Sequence, residues 1–136
     1  MAPVVLDASV FISACSPTES HHAVARALLD AQPEARAFLV PAIFRLEVLA
    51  GLARRGESAA YLETIDALIT GPRYYACPLD GDLLERAVRI ACKAGLRAYD
   101  AVYAALAESR AATLLTLDSD VAARLSQALP AVATRP

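Results

Sequence analysis

Short apolar runs alternate with amphipathic stretches along the whole chain. Pro3-Val4-Val5-Leu6 is an apolar run that stops at Asp7, the pattern of a buried strand. Residues 8–15 begin a helix, interrupted at Ser16-Pro17, and a second helical pattern over 19–31 puts Ala23, Ala27, Leu28 and Ala31 on one face. A strand over 36–40 is stopped by Pro41. Residues 42–54 read as a helix with Ile43, Leu46, Leu49, Ala50 and Ala53 as its apolar stripe, broken at Gly56. Residues 57–69 form a further helix, ended by Gly71-Pro72. Residues 74–78 are a strand, and 81–94 a helix closed by Gly95, a residue suited to a left-handed cap. A helix over 98–110, a strand over 113–117, a helix over 119–128 and an edge strand over 131–134 complete the pattern. Strands that alternate with helices imply a parallel sheet with helices on both faces, an α/β three-layer sandwich.

The 136 residues, 57% of them hydrophobic, suit one domain over 1–136. A chain of this size buries about 68% of its unfolded surface and needs no disulfide or structural metal. No apolar run reaches about 18 residues, and Asp7 falls where a signal peptide needs its apolar stretch, so a cytoplasmic protein without a membrane span is expected. Cys15, Cys77 and Cys92 are odd in number and show no C-x-x-C. They read as core residues rather than zinc ligands or disulfide partners. His21 and His22 are adjacent, precede a helix and read as surface residues.

Thirteen basic against 15 acidic residues give a net charge of −2, which argues against a broad basic face for nucleic acid. The balance reverses to +2 if four acids serve as metal ligands. All the basic residues except Lys93 are Arg, which suits phosphate contacts. Asn is absent and Ala abundant, so the Arg excess also reads as compositional.

In a parallel sheet, functional groups gather at the carboxyl ends of strands. Asp7 and Asp118 fall there, after the two most apolar strands, which are expected near the sheet centre. Asp100 begins a helix. Glu47 lies inside one, sharing a face with Ile43 and Ala50. Each Asp has an ordinary reading as a helix cap or first-turn acid, and Glu47 as a flank residue bonded to Arg45 or Arg54. Converging in one cleft, however, the four would repel one another. A hard divalent cation resolves that repulsion, and oxygen ligands select Mg²⁺ or Mn²⁺. Such a cation activates water and neutralises phosphate charge, the requirements of phosphodiester hydrolysis.

Val4-Val5-Leu6-Asp7-Ala8-Ser9, Glu47 within Glu47-Val48-Leu49-Ala50-Gly51-Leu52, the stretch from Leu96 to Ala107 containing Tyr99-Asp100-Ala101, and Leu115-Thr116-Leu117-Asp118 occur in order along the chain. In this order they resemble PIN-domain ribonucleases, and among these the VapC-like toxins of toxin–antitoxin pairs. The resemblance implies a Mg²⁺- or Mn²⁺-dependent endoribonuclease acting on RNA, a homodimer, and a small cognate antitoxin whose tail occupies the acidic cleft. It makes Asp7, Glu47, Asp100 and Asp118 the catalytic metal-binding quartet. It makes Ser9 and Thr116 supporting hydrogen-bonding residues. Asp120 would aid a second metal position or simply face solvent. Arg45, Arg54, Arg55 and Arg97 are candidates for phosphate contacts. Tyr99 and Tyr103 are candidates for base stacking, although Tyr103 fits a core stripe.

Other readings of an Asp after a first strand fare less well. A haloacid-dehalogenase-type enzyme wants a second Asp where Ser9 stands, and a receiver domain wants a Lys after a late strand. A dinucleotide-binding domain wants G-x-G-x-x-G, which is missing. A non-catalytic scaffold binding RNA or protein, and a metal-dependent DNA nuclease, remain as alternatives.

Overall fold

A computed structural model describes residues 2–132 and 134–135. Among these residues the elements are β1 (Val4–Leu6), α1 (Ala8–Ala14), α2 (His22–Asp30), β2 (Phe38–Pro41), α3 (Ile43–Arg54), α4 (Ala59–Ile69), β3 (Tyr74–Cys77), α5 (Gly81–Ala94), α6 (Ala98–Ser109), β4 (Thr113–Leu115), α7 (Ser119–Ala128) and β5 (Thr134–Arg135). The strands form one sheet in the order β3-β2-β1-β4-β5, with every pairing parallel. The expected three-layer α/β architecture is the observed one. Right-handed crossovers carry the chain outward from β1 to β3, then back across to β4 and β5. That places α1–α4 on one face and α5–α7 on the other, and helix contacts divide the same way.

This order puts β1 at the centre and makes the gap between β1 and β4 the point where the chain's direction of travel reverses. Crevices open at such points, outside the carboxyl ends of the strands. Val4, Val5 and Leu6 are all buried, as are Leu114 and Leu115, because helices cover both faces. The β1–β4 pairing runs on beyond the strands: the Thr113 amide donates to the Pro3 carbonyl at 2.9 Å, and the Asp7 amide to the Leu115 carbonyl at 3.0 Å. Asp7 is thereby fixed at the mouth of the crevice.

α6 anchors the opposite layer. Ala101 to Ala107 are buried without a break, so this helix is apolar all round and packs on β1, β2, β4 and α5. Across the sheet, Phe11, Phe44 and Tyr74 make a compact aromatic cluster with ring centroids 5.9–6.0 Å apart. No helix of the described residues is long and apolar enough to cross a membrane.

The sequence pattern misplaced several faces. α3 buries Phe44, Val48 and Leu52 rather than the expected stripe; Ala50 and Ala53 are exposed, and Leu46 is 65% exposed. Both stripes have helical spacing, and only the tertiary contacts choose between them. In α2 the buried residue is Ala25, with Leu28 and Leu29 packed beside the core, while Ala23, Ala27 and Ala31 are exposed. Of the cysteines only Cys77 is buried; Cys92 is exposed. The last strand is Thr134–Arg135 rather than 131–134, with Ala133 outside the described residues.

Candidate acidic site

Asp7 is held most firmly. It is the N-cap of α1, and its Oδ2 accepts hydrogen bonds from Ser9 Oγ at 2.9 Å and Thr116 Oγ1 at 2.8 Å. Its Oδ1 receives only a long bond of 3.4 Å from the Ser9 amide. Thr116 links two of the acids. Its hydroxyl donates to Asp7 and accepts from the Asp118 amide at 3.1 Å. Asp118 in turn caps α7, with Oδ1 accepting from the amides of Asp120 and Val121 at 3.0 and 3.1 Å. The cap readings of Asp7 and Asp118 are therefore correct, and they also aim both carboxylates at the crevice. Capping fixes the carboxylate while leaving oxygen lone pairs available.

Glu47 reaches the same crevice from α3, and Asp100 from the first turn of α6. A cleft of about 780 Å³ is lined by all four acids, together with Ser9 and the rim residues Arg54, Arg55 and Arg97. Half-buried Ile43 and Glu47 and exposed Leu46 and Ala50 of α3 form one wall of this cleft. That explains why a helix face legible as apolar is not core.

The acids feel one another. Burial pushes the Asp7 carboxyl up, against the pull of Thr116 and Ser9, and Asp100 adds to the push. Burial likewise raises Glu47; Tyr103 opposes this, while Asp7 and Asp100 reinforce it. Burial also raises Asp100, which Arg97 opposes and Asp118 and Asp120 reinforce. Glu47 Oε1 is buried without a hydrogen-bond partner, and so is the Tyr103 hydroxyl. The two groups lie near enough to influence each other but outside hydrogen-bond geometry. A buried carboxylate oxygen with no donor is costly unless something positive is meant to meet it.

Arg97 brings positive charge to Asp100 and Asp118 instead. Its Nε lies 3.4 Å from Asp100 Oδ2 and its Nη2 3.9 Å from Asp118 Oδ2, with the side chain 84% exposed. Exposed pairs of this length are weak, so Arg97 is readily displaced. This bridging went unread in the sequence, although the three-residue spacing to Asp100 was visible. Asp120 is not brought into the cleft lining; it is exposed and pairs with Arg124 at 2.9 Å. Arg45 pairs with Asp66 on the surface, away from the cleft lining. The two histidines also lie outside that lining, with His22 Nδ1 bonded to the Ser13 carbonyl at 2.8 Å.

The donor set fits a hard cation. It consists of carboxylate oxygens, one of them an orphan, that repel one another in partial burial. Among the described residues, no three acidic, histidine or cysteine side chains are close enough to enclose an ion by themselves. A cation here would keep much of its water, which is the habit of Mg²⁺.

Fold and cleft together define a doubly wound α/β protein with a carboxylate-lined crevice at its switch point. A family model described as PIN domain matches residues 4–126, and the chain belongs to that family. Solved structures with a similar fold include VapC20 of Mycobacterium tuberculosis, a sarcin-ricin loop cleaving toxin. It is 18% identical over 88% of this chain and 93% of its own, with a TM-score of 0.75. A toxin–antitoxin complex from Klebsiella pneumoniae is 19% identical over 98% of this chain and 97% of its own, with a TM-score of 0.73. VapBC2 of Rickettsia felis, bound to a DNA fragment from its promoter, is 12% identical over 97% and 96%, with a TM-score of 0.67. No curated protein sequence matches the chain. Family membership supports a nuclease, and these neighbours share the fold.

Proposed function

We propose that this protein is a Mg²⁺- or Mn²⁺-dependent endoribonuclease, acting in the cytoplasm as the toxin of a toxin–antitoxin pair. The observation that carries the reading is the meeting of Asp7, Glu47, Asp100 and Asp118 in one cleft, with a Glu47 oxygen left unpartnered. In this reading the four carboxylates hold the cation. When bound, it supplies positive charge against phosphate oxygens and a water of lowered pKa. Ser9 and Thr116 fix Asp7 so that its orientation is set before substrate arrives. Arg54, which has no side-chain partner among the described residues, and the loosely held Arg97 offer guanidinium groups to the flanking phosphates. An antitoxin would silence the protein by covering the acidic cleft with a basic segment, and a homodimer is the proposed assembly.

The test is cleavage of single-stranded and looped RNA, and of DNA of the same sequence, with Mg²⁺, Mn²⁺ or chelator. RNA cleavage that needs the cation is the expected result. Cleavage of DNA alone would make the protein a DNA nuclease. No cleavage of either strand, with binding retained, would leave the scaffold reading. Thr116→Val keeps the side chain's shape and removes the hydroxyl that joins Asp7 to Asp118. Loss of such an outer partner costs about 10–100-fold in metal affinity or activity. The variant is expected to stay folded at a cost of about 1–2 kcal/mol, read from its denaturant midpoint. A rate equal to wild type would show that the hydroxyl does not position the site.

A further inference from the structure

The sequence offered two tyrosines on one face of α6, and the structure separates them sharply. Tyr103 is 2% exposed and Tyr99, one turn earlier, is 56% exposed. The face that buries Tyr103 emerges from the core where α6 begins, and there it carries a large ring into the cleft. Tyr99 lines the acidic cleft and also an adjoining recess of about 420 Å³, formed with Glu47, Arg97, Ala98 and Asp100. From α3, the exposed Leu46 lines the same cleft. An exposed ring gains no core packing, and nothing in the acid set requires one.

We propose that Tyr99 is a stacking platform for an unpaired nucleobase of the RNA strand. The proposal rests on the nuclease reading, which it deepens by naming what holds the substrate beside the carboxylates. Tyr99 and Asp100 are consecutive, so the base and the phosphate of neighbouring nucleotides reach ring and acids together. Arg97, its guanidinium held only loosely by Asp100 and Asp118, lies in the same recess and matches the phosphate charge. Planar base, anionic phosphate and an adjacent cation-seeking carboxylate cluster are the features of a nucleotide site. Stacking tolerates any base and demands that it be out of a duplex, so the substrate class is single-stranded or looped RNA.

The experiment measures binding of a fluorescent single-stranded RNA oligomer by anisotropy, with Ca²⁺ in place of Mg²⁺, and steady-state cleavage with Mg²⁺. Tyr99→Ala is expected to weaken binding roughly 5–150-fold, and Tyr99→Phe to remain within about twofold of wild type. KM should carry the loss. The salt dependence should stay that of wild type, since no phosphate contact is removed. An oligomer with one abasic position at the stacked nucleotide should bind wild type and Tyr99→Ala alike. Tyr99 is exposed, so melting temperature should not move, and a fall would disqualify that variant in favour of Tyr99→Ser. Wild type that binds RNA while Tyr99→Ala binds equally well leaves the nuclease reading standing and overturns the stacking role. Failure of Tyr99→Phe to rescue also overturns it. Wild type that neither binds nor cuts RNA overturns the nuclease reading as well.

Discussion

Asp100→Asn is expected to reduce RNA cleavage by at least about 100-fold, beyond the range of losing an outer-sphere partner. Asp100 is coupled electrostatically to Asp7, Glu47 and Asp118, and it sits in the first turn of α6, whose start lines the cleft. Asparagine preserves size and hydrogen bonding, so the fold should persist, and the loss of one negative charge should relieve its neighbours. Melting in chelator should therefore be unchanged or higher than wild type. Added Mn²⁺ should raise the wild-type melting temperature, because a ligand that binds only the folded state stabilises it, and should raise the variant's much less. Equal cleavage by the two proteins, or wild-type cleavage undiminished by chelator, would falsify the four-carboxylate mechanism.

Glu47→Gln is expected to separate stability from activity. The carboxylate has a buried oxygen without a donor and two acidic neighbours. Neutralising it should stabilise the cation-free protein by about 1–2 kcal/mol, seen as roughly 3–8 °C in melting temperature. The same change should abolish most cleavage and most of the Mn²⁺-induced rise. The effect has a definite pH dependence. Burial, with Asp7 and Asp100, holds the folded Glu47 carboxyl above its ordinary value. Between the unfolded and folded values, the folded chain binds more protons, so stability falls as pH rises. Wild type should thus lose stability relative to Glu47→Gln as pH rises from about 4 through the raised folded value. Above that value the gap should be constant. A gap that widens on acidification would show that Glu47 is held as a favourable, partnered carboxylate. Asp66 and Glu108, lowered by surface arginines, push the opposite way in both proteins and cancel in the comparison.

Element types and order were legible because the strands β1, β2 and β4 are short, apolar and largely buried, and several helices are marked by a capping side chain or a glycine. Gly95 is the clearest case, closing α5 with φ 69°. The acids were legible because strand ends and helix starts are positions that topology brings together. What failed was the choice of face. In α3 the runs through Phe44-Val48-Leu52 and Ile43-Glu47-Ala50 are both periodic, and the second faces a cleft that only the assembled sheet creates. The Arg97 bridge and the unpaired Tyr103 hydroxyl depend on side-chain placement across elements, which linear spacing does not encode.

Asp7 is steadied by Thr116, and β1 finds a neighbour in β4, more than a hundred positions away along the chain. During translation, the N-terminal aspartate is made early and waits for partners that the ribosome delivers near the end. A nascent or prematurely terminated product that stops between residues 101 and 112 carries three of the acids but lacks the strand and hydroxyl that orient the first. The ordered acidic cleft is in this way withheld from every fragment that ends before β4 and completed only once that strand is made.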